Sequence, residues 1–175
     1  FELGSVFKPV TVASALESGA VTTEDTFLCD GGEQIGTDYV KCAVWPDAHG
    51  TETLGEVIQS SCNDGTMAVA RAMGAEEFLT YQKKFNFGSQ TGIDLPGEAA
   101  GLLFGDDMKA IELQTSGFGQ GFTATMIQEV AAISAVINGG TYYQPHLVKE
   151  ITDSDGKVVE SITPTVLKEV ISPDV

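Results

Sequence analysis

The chain begins with Phe1-Glu2-Leu3-Gly4-Ser5-Val6-Phe7-Lys8-Pro9, in which a serine and a lysine stand three residues apart. Residues with this spacing share one face of a helix, so Lys8 can fold back to the hydroxyl of Ser5. Pro9 is tolerated in the first turn of a helix, where its missing N–H does little damage. We therefore predict a helix over residues 5–18, with Ser5 at its start. The apolar residues that follow predict that this helix is buried.

A serine beside a lysine at a helix start is typical of acyl transfer. A serine hydroxyl becomes nucleophilic when a neighbouring base takes its proton. Because lysine titrates near ~10.4, burial or positive potential must disfavour its charge before it accepts a proton. The free N–H groups at a helix N-terminus supply such potential and favour an oxyanion beside Ser5. For the motif alone the simpler alternative is that Ser5 caps the helix and Lys8 is solvated.

Several segments together resemble the transpeptidase domain of penicillin-binding proteins, particularly the monofunctional class B enzymes. The opening nonapeptide is similar to that family's nucleophile signature, with Leu3 where proline is common. Ser61-Cys62-Asn63 is similar to its second catalytic motif, Ser-x-Asn. Residues 87–98 and residues 119–128 resemble two of its loops, and Asn138-Gly139-Gly140 with Pro145 completes the series in family order.

The resemblance implies a fold and an activity. The fold is an α+β domain of the β-lactamase/transpeptidase type, here mainly its helical portion with two small β-ribbons. The activity is cross-linking of peptidoglycan stem peptides. The same serine would be acylated by β-lactam antibiotics, because their strained amide mimics the substrate carbonyl. Ser5 is then the nucleophile, Lys8 its base, Ser61 a proton relay to the leaving amine, and Asn63 a hydrogen-bonding partner of Lys8 and the substrate amide. No cofactor is implied.

The family's third motif, Lys-Thr-Gly or Lys-Ser-Gly, does not occur in this 175-residue sequence. We therefore expect residues 1–175 to form part of a transpeptidase domain that ends before this motif. The isolated chain should fold but acylate poorly, because the strand that carries the motif supplies an oxyanion donor in the family. Loss of the sheet should also expose an apolar helix face, which predicts self-association.

Composition limits the class of partner. With 42% hydrophobic and 19% charged residues, the chain is suited to one folded domain. A net charge of -16 disfavours nucleic acid and anionic membrane surfaces. No long apolar run and no basic, then apolar, N-terminus is present, so we expect neither a membrane span nor a signal peptide in these residues. The resemblance implies an extracytoplasmic site of action, an upstream membrane anchor, and division or sporulation proteins as partners of the parent protein.

The three cysteines lie in two contexts. The first two flank a glycine-rich turn, which predicts a two-stranded ribbon of residues 26–30 against residues 39–45. Across such a ribbon Cys29 and Cys42 would either form a disulfide or remain half-buried thiols. Cys62, in the middle of Ser-x-Asn, is predicted to pack into the core.

Neither a metal site nor a phosphate loop is predicted. His49 and His146 are far apart in the sequence, and neither belongs to a cluster with ligand spacing. The glycine-rich residues 117–121 are not followed by the lysine of a phosphate loop. We expect these glycines to permit close approach of another backbone segment.

The spacing of apolar residues and glycines predicts six helices and one later hairpin. The hairpin lies between Tyr142 and Thr163, with its turn at residues 153–156. The predicted helices are Ser5–Ser18, Thr53–Ser60, Asn63–Met73, Ala75–Phe85, Asp106–Gln114 and Thr125–Ile137.

Other functional classes share the Ser-x-x-Lys pattern. A β-lactam sensor would be acylated once without turnover, and a β-lactamase or carboxypeptidase would hydrolyse its acyl-enzyme. Residues 92–98 and residues 119–121 favour the transpeptidase. A scaffolding role of the parent in a division or sporulation complex is a further alternative.

Overall fold

A computed structural model describes all 175 residues. A 3-10 turn, Gly4–Phe7, leads into the first of six helices. The helices are α1 (Lys8–Glu17), α2 (Leu54–Gln59), α3 (Asn63–Met73), α4 (Ala75–Lys84), α5 (Ala110–Gly117) and α6 (Met126–Ile137). The strands are β1 (Thr26–Cys29), β2 (Gly32–Ile35), β3 (Asp38–Lys41), β4 (Gly50–Thr53), β5 (Thr141–Tyr143), β6 (Glu150–Thr152), β7 (Val158–Ser161) and β8 (Val166–Glu169).

The helices begin where capping residues satisfy their first N–H groups. Thr53 forms a capping box with Glu56 at the start of α2, as Thr125 does with Gln128 at the start of α6. Helix α5 begins later than predicted, because Glu112 accepts the backbone N–H of Lys109 at 2.8 Å and sets the cap there. None of the six helices combines the length and the apolar character needed to cross a membrane.

The strands form four antiparallel two-stranded sheets instead of the two ribbons predicted. The pairs are β1 with β4, β2 with β3, β5 with β8, and β6 with β7. The predicted pairing of residues 26–30 with residues 39–45 is wrong, since a tight turn at Gly36 pairs β3 with its nearest neighbour β2. The hairpin β6–β7 is confirmed, and strand β8 was not predicted.

The nucleophile segment lies at the centre of the core. The Phe7 ring is 4.9 Å from that of Phe122, 5.2 Å from that of Phe87 and 6.3 Å from that of Phe78, all edge to face. Helix α1 packs against α3, α4 and α6. Residues far from it in the sequence therefore fix the position of the turn that carries Ser5.

Candidate active site

Ser5 lies exposed on the 3-10 turn at the start of α1, and a glycine-rich segment holds this turn. The N–H of Gly4 donates to the carbonyl of Gly119 at 2.8 Å. Gly119 has φ +83°, and a Cβ built on it would lie 2.8 Å from the backbone nitrogen of Gly4. A side chain at this position would displace the turn. The prediction that residues 117–121 permit close backbone approach is confirmed.

Lys8 is the first residue of α1, and only 2% of it is exposed. Its Nζ donates to Ser61 Oγ at 3.0 Å, to Asn63 Oδ1 at 2.8 Å and to the backbone carbonyl of Ser61. The ammonium has three N–H donors, so these bonds account for all of them. The exposed Ser5 hydroxyl makes no hydrogen bond to Lys8. The structure thus brings Lys8, Ser61 and Asn63 together and leaves Ser5 beside them at the surface.

Burial makes the charged form of Lys8 less favourable than it is in water. Burial lowers the pKa of Lys8, and the negative potential of Cys42, Cys62 and Glu52 offsets this lowering in part. The pKa therefore lies below its ordinary value. A lysine whose pKa is lowered is more often unprotonated at neutral pH, and it can then accept a proton as a general base.

The loop between α2 and α3 presents Ser61 and Asn63 to the lysine. Ser61 has φ +55°, which is uncommon for a residue other than glycine and costs about 1–3 kcal/mol. Backbone N–H groups of Ser61 and Cys62 donate back to α2, to Ile58 at 3.1 Å and Val57 at 2.9 Å. These bonds hold the loop in its strained conformation.

The amide of Asn63 has a fixed orientation. Its Nδ2 donates to the carbonyl of Lys41 at 3.3 Å, which leaves Oδ1 to face Lys8. Since Asn63 is also the first residue of α3, its backbone cannot turn freely. The end of β3 therefore orients a residue that contacts the lysine.

Two acidic residues that the sequence did not single out organise the loop of residues 87–98. Glu98 accepts from the backbone N–H and hydroxyl of Thr91 at 2.7 and 2.6 Å. Although burial raises the pKa of Glu98, these hydrogen bonds outweigh it and lower the pKa. Asp94 accepts the N–H groups of Leu147 and Val148 at 2.8 and 3.0 Å, which ties the loop to the segment before the β6–β7 hairpin.

A cluster of sulfur and nitrogen atoms lies directly behind the Ser61–Asn63 loop. Cys29, Cys42, His49 and Cys62 each point one ligand atom into it, and these atoms lie within 4.8 Å of one another. The prediction that neither histidine belongs to such a cluster is wrong for His49. All three cysteines are buried free thiols, so Cys29 and Cys42 are not bridged. The four residues are spread along the sequence without a short metal-binding motif, and the pairing of β1 with β4 brings His49 beside Cys29.

Comparison with known sequences identifies the family. The penicillin binding protein transpeptidase domain matches residues 1–174. Stage V sporulation protein D of Bacillus subtilis is 41% identical over 178 residues, which cover 99% of this chain and 27% of that protein. The peptidoglycan D,D-transpeptidase MrdA of Escherichia coli K12 is 30% identical over 171 residues, covering 91% of this chain and 27% of that protein. The chain spans about a quarter of the length of these relatives.

Solved structures agree with the sequence relatives. The D,D-transpeptidase domain of a peptidoglycan glycosyltransferase from Eggerthella lenta superposes with a TM-score of 0.87 at 26% identity, over 99% of this chain and 45% of that one. Penicillin binding protein 3 from Mycobacterium tuberculosis, complexed with aztreonam, gives 0.84 at 30% identity, over 99% of this chain and 39% of that one. The predicted fold class is confirmed. The chain belongs to the penicillin-binding protein transpeptidase family.

Proposed function

We propose that the protein is a serine D,D-transpeptidase that cross-links peptidoglycan stem peptides and is acylated by β-lactams. The observation that carries this proposal is the buried Lys8, hydrogen-bonded to Ser61 and Asn63, three residues from the exposed Ser5. The names of the relatives supply the substrate class, since one is a peptidoglycan D,D-transpeptidase and another binds aztreonam.

The reaction begins when Ser5 Oγ attacks the carbonyl carbon of a D-alanyl-D-alanine terminus. The hydroxyl proton passes to the neutral amine of Lys8, and N–H groups at the start of the helix stabilise the oxyanion. Ser61 accepts a proton from Lys8 across their 3.0 Å hydrogen bond and donates it to the departing D-alanine amine. An amine of a second stem peptide then attacks the Ser5 ester and forms the cross-link.

We further propose that residues 1–175 are part of a transpeptidase domain, and that sequence outside them carries the third motif. The absent strand would supply the second oxyanion donor. Loss of one such donor typically slows the reaction about a hundred- to a thousandfold, so the isolated chain should acylate far more slowly than the full-length protein. We place the site of action outside the cytoplasm, because the relatives are cell-wall synthesis proteins.

The test is covalent labelling of the full-length protein by a fluorescent penicillin. Ser5→Ala should abolish labelling, because it removes the attacking oxygen. Ser154→Ala is the matched control, because Ser154 is exposed in the β6–β7 turn, and it should label like the parent. Persistent labelling of the Ser5 variant would refute the nucleophile assignment.

Product analysis with a stem pentapeptide and an acceptor amine separates the alternatives. A cross-linked product with release of one D-alanine supports the transpeptidase. Release of D-alanine without cross-linking would identify a carboxypeptidase instead. An acyl-enzyme that never turns over would identify a sensor.

A further inference from the structure

The cluster behind the Ser61–Asn63 loop has the composition of a metal site. We propose that Cys29, Cys42, His49 and Cys62 bind one zinc ion, which fixes the loop that contacts Lys8. This goes beyond the proposed function, since neither the chemistry of Ser5 nor that of Lys8 requires a metal.

The distances within the cluster fit a tetrahedral zinc ion. Cys42 Sγ lies 3.8 Å from Cys62 Sγ and 3.8 Å from His49 Nδ1. A zinc–sulfur bond of about 2.3 Å places the sulfurs of a tetrahedral site about 3.8 Å apart. Since all four ligand atoms lie within 4.8 Å of one another, an ion at their centre needs little movement of the side chains.

Separate elements of the fold supply the ligands. Cys29 ends β1 and Cys42 directly follows β3, while His49 precedes β4 and Cys62 caps α3. The cysteines are at most 3% exposed. Such a site is closed to substrate, so its role is structural.

Backbone amides already donate to the sulfurs. The N–H of Asn63 lies 3.3 Å from Cys42 Sγ, and the N–H of Gly65 lies 3.3 Å from Cys62 Sγ. N–H donors of this kind hydrogen-bond thiolates, the form in which cysteine binds metals. They are therefore in place to support the ligands once a metal has displaced the thiol protons.

The donor set selects the metal. Thiolate and imidazole ligands favour zinc, whereas calcium and magnesium require oxygen ligands. Three sulfurs and one nitrogen form one of the common structural zinc sites. A disulfide between Cys42 and Cys62 would use two of the four groups and would leave Cys29 and His49 outside the bond.

The ion would act on the active site through Cys62. This residue stands between Ser61 and Asn63, the two residues that contact Lys8. Ser61 is held at φ +55°, and an anchored neighbour helps to maintain that conformation. Zinc thus positions the Lys8 partners without touching substrate.

The test is the zinc content of the full-length protein, purified without a histidine tag and measured by inductively coupled plasma mass spectrometry. We expect about one zinc per chain. His49→Ala should lower the zinc content at least tenfold after dialysis against a chelator. His146→Ala is the matched control, because His146 is half-buried, lies outside the cluster and bonds only the carbonyl of Val148, and it should retain the metal.

Three further measurements on the unsubstituted protein test the zinc site even if the variants fail to fold. Cobalt loading of the parent should give thiolate-to-cobalt charge-transfer absorption. Stripping the zinc should slow penicillin acylation, and returning zinc should restore it; an unchanged rate would refute the positioning role. Absence of zinc with three freely titratable thiols, or a Cys42–Cys62 disulfide in the purified protein, would overturn the site. Zinc content does not depend on acylation, so this proposal and the proposed function fail separately.

Discussion

The two sides of the Gly4–Lys8 turn differ sharply. On one side Phe7 and Lys8 are almost wholly buried, and every donor of the lysine has a partner. On the other side Val6 is 57% exposed and joins a shallow groove of about 620 Å³. Phe1, Leu3, Pro9, Met126, Val130 and Ile133 also line this groove.

The difference between the buried side and the groove side shows that residues 1–175 complete the lysine pocket but leave the groove uncovered. The lysine pocket is assembled from α1, β3 and the α2–α3 loop, all within the chain. The groove side has apolar surface without a cover, and beneath it Glu129 has two buried carboxylate oxygens without partners. This asymmetry supports the proposal that further parts of the domain pack on the groove side.

The largest stability effect should come from the buried side. Phe7→Ala should destabilise the chain by about 3–5 kcal/mol, because it leaves a cavity among Phe78, Phe87 and Phe122. Val6→Ala, one residue away, should cost less than about 0.5 kcal/mol. Urea denaturation monitored by circular dichroism measures both values. Equal losses would mean that the two sides do not differ as described.

Lys8→Arg should remove the general base from the buried pocket. A guanidinium stays protonated, so it cannot take the proton of Ser5. We expect the rate of penicillin acylation in the full-length protein to fall at least about a hundredfold. Lys157→Arg, at an exposed position in the β6–β7 hairpin, is the control and should keep the parental rate. An arginine variant at position 8 that acylates normally would assign the base to another residue.

Much of this arrangement could be predicted from the sequence. Most of the helices followed from local signals, and α3 ends at the predicted residue because Gly74 stops it. The contact of Lys8 with Ser61 and Asn63 was predicted from the resemblance to the family. No local rule could have predicted it, because the partners lie 53 and 55 positions from Lys8 in the sequence. Residues 117–121 were interpreted correctly because positive φ and close approach are properties of glycine itself.

The strand pairings and the cysteine cluster could not be predicted in this way. Short strands carry weak periodicity, so β1 gave no indication that it pairs with β4 and not with the next extended segment. That pairing brings His49 close to Cys29, and it depends on tertiary structure that local sequence patterns do not reveal. The spacing of the four ligands becomes meaningful only after the sheet is known.

The buried carboxyl of Glu129 beneath the groove should make the stability of the chain depend on pH. Burial raises the pKa of Glu129 from its ordinary value of 4.5 to about 7 in the folded chain. Between these values the folded state holds a proton that the unfolded state releases, so stability should fall as pH rises from about 4.5 to 7. Glu129→Gln should remove this decline and gain about 1–3 kcal/mol at pH 8, with little change at pH 5.

Denaturation midpoints of the 175-residue chain across this pH range provide the measurement. Glu160→Gln is the control, because Glu160 is exposed on β7, and its profile should parallel that of the parent. If the Glu129 variant also runs parallel to the parent, the carboxyl is charged in the folded state and the groove side is better solvated than its burial indicates.

The smallest effect concerns association of the isolated chain. Met126 and Val130 are 74% and 60% exposed in the groove, where their apolar surface can be covered by a second copy. We expect sedimentation equilibrium to show a concentration-dependent dimer at micromolar to millimolar concentrations. Val130→Glu should shift the chain toward monomer, because a charge opposes burial of the groove. Val159→Glu, an equally apolar and exposed position on β7, should leave the equilibrium unchanged. If the unsubstituted 175-residue chain stays monomeric, the exposed groove is tolerated in solution. If the full-length protein dimerises through the same residues, no other part of the domain covers the groove.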